Sequence, residues 1–272
     1  MTSFQTLLTD VSGRVATIWL NRPERRNAFS SVMTLELHEA FALYETDDDV
    51  RAIVVTGVGR YFSAGADLER GGETFNRPAD AERPAADPIR IEPARMRTPV
   101  IAAMNGSAVG MGLTLPVGWD VRFAAAEAKY GFVFTRRGIV PEASSTWLLP
   151  RLIGVSRAME LLLSGRIFSG AEAAEMGLVS RALPTADVLP AAQEFARDIA
   201  VNTSAVSVAA TKALVYGALE QGRAAAHERE HEVFRWMGRQ ADAAEGVTAF
   251  LQKRPPQWPL SKLKDYPPML SA

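Results

Sequence analysis

The sequence predicts an α/β fold with a helical C-terminal region. Two observations support this prediction. Between about residues 50 and 125, short apolar runs alternate with segments of helical periodicity, a pattern typical of parallel strands joined by helices. After residue 145 the pattern is almost wholly helical. We therefore expect residues 1–200 to form an α/β core and residues 201–272 to form a helical region.

The composition is that of a globular protein and excludes several functional classes. The chain has 272 residues, of which 47% are hydrophobic and 22% are charged, so it can form a packed core. With 30 basic and 31 acidic residues it lacks the basic excess of a nucleic-acid-binding protein. The absence of cysteine excludes disulfides and thiolate chemistry. We see no signal-peptide pattern and no long apolar run, and we expect a cytoplasmic protein that does not bind membranes.

The N-terminal segments predict a hairpin followed by a helix. The β-rich segments 4–10 and 15–20 flank a turn-rich link, and Asn21-Arg22-Pro23 then breaks the chain. Ser30 is placed to cap a helix. The apolar stripe of that helix is Met33, Leu37, Phe41 and Tyr44.

The central segments predict parallel strands and one long loop. Residues 51–56 and 98–104 are apolar runs of the buried-strand type. A short apolar helix from about Met111 to Gly118 and a strand over 120–124 follow. Residues 70–95 combine glycine, proline and charge, which indicates a long mobile loop of the kind that often forms a lid.

The C-terminal segments predict three helices. The apolar stripe of the first is Val188, Ala192, Phe195 and Ile199. A charged helix over about 222–240 and a last helix over about 242–253 follow, and Arg254-Pro255-Pro256 ends the latter.

The string His227-Glu228-Arg229-Glu230-His231 matches two zinc-hydrolase patterns. Its histidines are four residues apart and would share one face of a helix. The flanking residues are highly charged, however, and a third ligand would have to be a carboxylate such as Glu245. We favour a solvated helix face and expect no metal site, with zinc as the alternative.

Two glycine-rich turns, residues 61–68 and 104–112, each follow a predicted buried strand. Each could leave a backbone N–H free, and the second also opens a helix, whose N-terminus favours negative charge. Two converging N–H groups form an oxyanion hole, in which each donor contributes about 3 kcal/mol to a developing oxyanion. Tight turns without a catalytic role are the alternative.

Motifs along almost the whole chain, residues 4–260, occur in the order found in one known family. The matching strings are Asn21-Arg22-Pro23, Asn27-Ala28, Phe62 to Leu68, Pro99 to Gly106, Gly138 to Pro141, Leu163 to Gly165, Ala171 to Val179 and Phe250 to Arg254. The sequence resembles the enoyl-CoA hydratase/isomerase (crotonase) superfamily. The resemblance implies a crotonase (ClpP-like) spiral of ββα units, a C-terminal helical trimerisation region and an acyl-CoA thioester as substrate. It implies a homotrimer or a dimer of trimers, and no cofactor apart from the coenzyme A of the substrate.

The resemblance also implies roles for particular residues. The backbone N–H groups of Ala64 and Met111 would form the oxyanion hole. The residues expected to line the CoA and acyl site are Arg26, Ala28, Ala64, Gly65, Ala66, Asp67, Leu68 and Phe134. Lys253 or Arg254 would reach a CoA phosphate. Asp67 is also expected to hold its loop through local N–H bonds.

Departures from the family pattern bear on the reaction. Hydratases of this family carry two glutamates, and this chain has Thr114 and Phe134 at those positions. Glu142, in the string Pro141 to Ser145, instead resembles the single catalytic glutamate of peroxisomal-type 3-enoyl-CoA to 2-enoyl-CoA isomerases. One carboxylate can take a proton from C2 and return it to C4. Taken alone, a proline followed by a glutamate is an ordinary helix start.

Three hypotheses therefore stand. The first is an isomerase that uses Glu142. The second is enoyl-CoA hydration or another crotonase reaction, because one oxyanion hole serves many outcomes. The third is a non-catalytic relative that binds CoA or a protein.

Overall fold

The fold is that of a computed structural model, which describes residues 4–76 and 92–270. The strands in this part of the chain are β1 Leu7–Ser12, β2 Val15–Leu20, β3 Ala52–Gly57, β4 Tyr61–Ser63, β5 Val100–Met104, β6 Ser107–Val109, β7 Val121–Ala125, β8 Lys129–Gly131, β9 Ile167–Ser169 and β10 Arg181–Leu183. The helices are α1 Ser31–Glu45, α2 Met111–Val117, α3 Ser145–Ile153, α4 Val155–Ser164, α5 Gly170–Glu175, α6 Thr185–Asn202, α7 Ala205–Ala218, α8 Arg223–Met237 and α9 Ala241–Gln252.

The strands form two sheets, and the predicted α/β fold is confirmed. The larger sheet has the order β1-β2-β3-β5-β7-β10, in which only the β1–β2 hairpin is antiparallel. The smaller sheet has the order β4-β6-β8-β9 and is parallel except for its β8–β9 pair. Short connections carry the chain repeatedly from the larger sheet to the smaller one, so the ends of β3 and β5 lead directly into β4 and β6.

The core explains why the central strands are uninterrupted apolar runs. Every residue of β3 and β5 is buried, because one face of the sheet packs on α1 and α2 and the other on α6. The stripe of α6 that is fully buried is Val188, Ala192, Ala196 and Ala200. It differs from the predicted stripe, since Phe195 and Ile199 are only partly buried.

Several boundaries differ from those predicted. The region after residue 145 is not wholly helical, since β9 and β10 lie there and complete the two sheets. Three-residue strands are too short to show an alternating pattern, which is why β4, β6, β9 and β10 were not predicted. The charged helix ends at Met237 rather than at 240. Most of the predicted loop over 70–95 lies outside the described residues.

Among the described residues, no single helix is long and apolar enough to cross a membrane. Helices α6 and α7 reach the necessary length and composition only as a pair, and they are bent by 115° relative to each other. The predicted division at residue 200 falls near the end of α6.

Candidate active site

The first glycine-rich turn leaves β4 and is fastened to the segment before α1. The side chain of Asn27, which is fully buried, donates to the carbonyls of Val58 at 3.0 Å and Tyr61 at 2.8 Å. The backbone carbonyl of Asn27 accepts a hydrogen bond of 2.8 Å from the hydroxyl of Ser63. Both Arg26 and Asn27 have left-handed backbones, with φ values of 52° and 53°. These contacts fix the turn relative to the sheet.

The amide of Ala64 is not available to a substrate, so the predicted role of Ala64 as an oxyanion donor is wrong. This N–H donates to the carbonyl of Arg26 at 2.9 Å. Phe29 forms a parallel bridge with the following residues of the turn. Its backbone N–H donates to the carbonyl of Gly65, and its backbone carbonyl accepts from the N–H of Asp67. In such a parallel bridge, the residue between Gly65 and Asp67 directs its own N–H away from Phe29. That residue is Ala66, whose amide has no hydrogen-bond partner within residues 4–76 and 92–270.

The second glycine-rich turn ends where α2 begins. The amides of Leu113 and Thr114 donate to the carbonyl of Gly110 at 2.9 and 3.0 Å. Met111 is the first residue of the helix, and the first amides of a helix have no intrahelical acceptor. In the described part of the chain the Met111 amide indeed has no partner. The predicted free donor at Met111 is therefore present.

The two turns are pressed against each other. A Cβ built on Gly65, whose φ is +86°, would lie 2.6 Å from the carbonyl oxygen of Val109 and 3.5 Å from the amide nitrogen of Met111. A Cβ on Gly112 would lie 2.7 Å from Ser63. Only glycine permits contacts this close. The structure thus brings the unpaired amides of Ala66 and Met111 to adjoining positions.

Glu142 reaches the same region from the loop that precedes α3. Its carboxylate accepts a hydrogen bond from the hydroxyl of Thr114, a fully buried residue of α2. The hydroxyl and the backbone amide of Ser145 donate hydrogen bonds of 2.7 and 3.1 Å to the backbone carbonyl of Glu142. Glu142 as a whole residue is exposed, so one side of it faces solvent while its carboxylate is bound to the core helix.

The backbone after Glu142 is unusual. Ala143 and Ser144 both have positive φ values, 53° and 56°, and α3 begins only at Ser145. The interpretation of Pro141-Glu142 as the first turn of a helix is therefore wrong. Two consecutive left-handed residues other than glycine are uncommon and often occur at functional sites.

Asp67 has the structural role expected of it. Its carboxylate accepts from the amide of Glu69 at 3.1 Å and pairs with the guanidinium of Arg22 at 2.8 Å. Burial would raise the pKa of Asp67, but the hydrogen bonds from Arg22 and Glu69 and the charges of Arg22 and Arg25 outweigh it and lower that pKa. The carboxylate is consequently ionised and held in place.

The other predicted site residues lie in different environments. Arg26 is exposed, with its guanidinium 5.5 Å from the ring centre of Tyr61. Ala28 and Phe134 are buried in the core, and Leu68 is 49% exposed. Lys253 ends α9 with an exposed side chain. Arg254 is bound to both carboxylate oxygens of Glu245, at 2.6 and 2.8 Å.

The histidines of the H-E-x-x-H string lie on α8. Both His227 and His231 are exposed, with ring centres 5.9 Å apart. Arg229 between them pairs with Glu232 at 3.2 Å and donates to the carbonyl of Met269. Across residues 4–76 and 92–270, no group of three or more His, Asp or Glu side chains is placed to hold a metal ion.

Sequence reasoning missed three residues that build the site. Arg22 and Asn27 were noted only as parts of a motif, and Thr114 only as the residue at a vacated position. Polar residues just before a helix are common, so nothing in the local pattern distinguishes Arg22 or Asn27. The pairing of Thr114 with Glu142 joins residues 28 positions apart and has no local sequence signal.

Two adjoining backbone amides and one carboxylate bonded to the same short helix are groups that can stabilise an oxyanion and transfer a proton. Residues 10–260 match the family model described as enoyl-CoA hydratase/isomerase. The chain is 38% identical over 245 residues to enoyl-CoA hydratase ACTT3 of Alternaria alternata, covering 90% of this chain and 82% of that protein. It is 36% identical over 262 residues to the 1,2-epoxyphenylacetyl-CoA isomerase of Escherichia coli (strain K12), covering 93% and 97%.

Solved structures agree with the sequence comparisons. The crystal structure of a probable enoyl-CoA hydratase/isomerase from Mycobacterium abscessus aligns with a TM-score of 0.87 and 40% identity, over 93% of this chain and 98% of that one. The chain belongs to the enoyl-CoA hydratase/isomerase family and is an enzyme of the hydratase/isomerase type.

Proposed function

We propose that the protein is an acyl-CoA isomerase that converts a 3-enoyl-CoA into a 2-enoyl-CoA with Glu142 as its acid and base. The observation that carries this proposal is the hydrogen bond from Thr114 to the Glu142 carboxylate, because Thr114 belongs to α2, the helix whose first amide is that of Met111. A carboxylate is thereby bonded to a residue that lies about one helical turn from an oxyanion donor. This is the arrangement needed to remove a proton next to a thioester carbonyl.

The proposed reaction conserves all atoms of the substrate. The Glu142 carboxylate takes a proton from C2, and the electron pair of that C–H bond moves into a dienolate whose negative charge lies on the thioester oxygen. The amides of Ala66 and Met111 donate hydrogen bonds to this oxygen. The protonated Glu142 then delivers the same proton to C4, which leaves the double bond between C2 and C3. The coenzyme A portion takes part only as a section of the substrate.

The residues at the two positions where hydratases of the family carry glutamates support isomerisation. Thr114 is a hydroxyl donor that already bonds to Glu142, and Phe134 is a buried apolar residue. Neither can orient a water molecule as a carboxylate does. Glu142 is thus the carboxylate that we assign to both proton transfers.

Hydration of a 2-enoyl-CoA is the second candidate, because several relatives are named enoyl-CoA hydratases. The similarity to 1,2-epoxyphenylacetyl-CoA isomerase favours isomerisation instead, although of a different acyl group. Purified enzyme should be assayed with a 3-enoyl-CoA and with a 2-enoyl-CoA of equal chain length. Faster turnover of the 3-enoyl substrate supports isomerisation, and faster turnover of the 2-enoyl substrate supports hydration. Binding of both without turnover would indicate a non-catalytic relative.

The role of Glu142 can be tested separately. Replacement Glu142→Gln should lower kcat for isomerisation by about 10²–10⁴-fold, since it removes the general base. The matched control is Glu127→Gln, an exposed carboxylate in the turn between β7 and β8. With a substrate deuterated at C2, some of the label should appear at C4, because one carboxylate carries it. Unchanged turnover of Glu142→Gln would refute the assignment.

We further propose that the protein self-associates into a trimer or a dimer of trimers. Helices α8 and α9 expose large apolar side chains, among which Phe234 is 73%, Phe250 82% and Leu251 73% exposed. Large apolar side chains exposed to this extent favour an interface with another copy of the chain. Sedimentation velocity of the purified protein distinguishes a monomer from these assemblies.

A further inference from the structure

We propose that the protein binds one halide ion, such as chloride, in a small cavity whose wall carries the side chains of Arg51, Arg97 and Lys262. The lining residues in the described part of the chain include these three bases and no acid. The inference does not depend on the reaction proposed above. It is argued from the burial of the cations, from their hydrogen-bond partners and from the helix that begins at the cavity.

The cavity lies at the edge of the larger sheet that is remote from the oxyanion turns. Arg51 immediately precedes β3, and Thr98 and Pro99 immediately precede β5. The turns that carry Ala66 and Met111 follow the other ends of these strands, by way of β4 and β6. An ion in this cavity would therefore stabilise the fold without touching the thioester.

Arg51 is a buried cation with donors to spare. The residue is 5% exposed. Within residues 4–76 and 92–270, its guanidinium makes one hydrogen bond, of 2.9 Å from Nη2 to the carbonyl of Thr203, and no ion pair. A guanidinium has five N–H donors in all. Because Arg51 lines the cavity, its other donors can bind an anion there.

Lys262 and Arg97 add positive charge to the same wall. Lys262 is 2% exposed, and its three hydrogen bonds go to one hydroxyl and two carbonyls, all of them uncharged. The guanidinium of Arg97 lies 4.6 Å from the ring centre of Tyr266. In contrast, Lys212, another buried lysine, forms an ion pair of 2.6 Å with Asp120. In the described structure no such ion pair is formed by the three cations of the cavity.

The carboxylates around the cavity are bound to other groups. Asp242 and Asp48 accept hydrogen bonds from serine hydroxyls, at 2.5 and 2.6 Å, and Glu45 accepts two backbone amides, at 2.8 and 3.0 Å. Burial and the charge of Arg14 lower the pKa of Arg51 to about 10, although Asp242 and Asp48 oppose this. Burying a charge costs free energy unless an opposite charge compensates it. A bound anion would supply that compensation.

Helix α7 begins at the cavity and favours the same sign of ligand. Ala205, its first residue, and Val208, in its first turn, both line the cavity. The first amides of a helix have no intrahelical acceptor, and the helix dipole makes this end partly positive. The buried guanidinium of Arg51 thus faces a helix N-terminus across the cavity wall. Both features attract an anion.

The size of the cavity selects the kind of anion. It has room for about one water molecule or one halide ion. Phosphate, sulfate and carboxylate ligands need more space than this. The ligand is accordingly a monatomic anion, and bromide is a suitable probe because it has the same charge and a similar radius.

The first test measures Tm while chloride replaces methanesulfonate stepwise at constant ionic strength. A ligand that binds only the folded state raises Tm with its concentration, and we expect a rise of roughly 2–4 °C. Arg51→Met should abolish this rise because it removes the main donor. The matched control is Arg14→Met, which removes an exposed arginine nearby and should keep the rise. General effects of salt on hydration act on all three proteins alike.

The second test locates the ion directly. Crystals of the wild-type protein grown in bromide should show an anomalous-scattering peak within hydrogen-bond distance of the Arg51 guanidinium. Bromide found only elsewhere on the protein, or an equal chloride-dependent rise of Tm in wild type and Arg51→Met, would overturn the proposal. If Arg51→Met does not fold, the bromide crystals decide the matter alone. Turnover of an enoyl-CoA enters neither measurement, so failure of the proposed reaction leaves this inference standing.

Discussion

The guanidinium of Arg22 lies 2.8 Å from the carboxylate of Asp67, and this ion pair ties the segment before α1 to the turn that carries Ala66. The same guanidinium donates to the carbonyl of Ala28 at 2.7 Å. Both side chains are largely buried, with 16% and 13% exposure. The pair therefore stabilises the turn that carries the Ala66 amide.

Removing the charge of Asp67 should destabilise the fold. Asp67→Asn keeps the shape but weakens the pair, and we expect a loss of about 1–3 kcal/mol in the free energy of unfolding at pH 7. The measurement is urea denaturation. The control is Glu69→Gln. Its pair with Arg25, at 2.9 Å, is exposed, and losing that pair should cost at most about 1 kcal/mol.

The effect of Asp67 depends on pH with a definite sign. The pKa of Asp67 in the folded protein lies below its ordinary value near 3.8. Its contribution is thus fully present above that value and is lost as the pH falls through the lower folded pKa. The difference between wild type and Asp67→Asn should shrink on going from pH 7 to pH 3. A constant difference would contradict the ion pair as its cause.

Gly65 should be indispensable for activity. In Gly65→Ala the new Cβ would lie 2.6 Å from the Val109 carbonyl, so the two turns must separate and the amides of Ala66 and Met111 must part. Loss of an oxyanion donor lowers kcat about 10²–10³-fold. The matched control is Gly154→Ala, which has a similar φ of +80° but open space around it. Steady-state kinetics of both variants is the measurement.

If Gly154→Ala and Gly65→Ala lose activity equally, backbone strain rather than the contact between the turns is responsible. If Gly65→Ala retains wild-type kcat, the two amides do not act together. Thermal unfolding of each variant shows whether the chain is folded under assay conditions.

The sequence located the loops of this site but not the atoms that act. The string Phe62 to Leu68 indicates a tight turn, yet which of its amides is free depends on Phe29, a residue more than thirty positions earlier. Phe29 engages Gly65 and Asp67, and Arg26 occupies the Ala64 amide. Those pairings are tertiary, so a local pattern could not assign the donor to Ala66.

Strands and loops could likewise be predicted only where their own residues carry a distinctive pattern. The strands β3 and β5 were predictable because burial on both faces leaves an unbroken apolar run. The three-residue strands β4, β6 and β9 of the smaller sheet were not predicted, because strands this short show no periodicity. The pattern Pro141-Glu142 is typical of a helix start, and Ala143 and Ser144 are not residue types that indicate the left-handed backbone found there. Their conformation is imposed by the surroundings.

Lys262 anchors the C-terminal segment in the core. Lys262 is 2% exposed. Its ammonium group donates to the hydroxyl of Thr98 at 2.6 Å and to the carbonyls of Val50 at 2.7 Å and Tyr44 at 3.3 Å. Burial lowers the pKa of Lys262 to about 8, although the charges of Glu45, Asp48 and Asp47 oppose this. The folded protein therefore holds this proton less tightly than the unfolded chain does.

The stability of the protein should consequently rise in alkaline solution relative to a variant without this amine. Between pH 8 and the ordinary lysine value of 10.5 the unfolded chain binds more protons at Lys262 than the folded protein, so the free energy of unfolding increases with pH. Relative to Lys262→Met, wild type should gain roughly 3 kcal/mol over this range. Lys264→Met, which removes an exposed lysine, should show no such trend. Guanidinium denaturation at several pH values measures all three proteins, and parallel curves for wild type and Lys262→Met would show that burial does not perturb this amine.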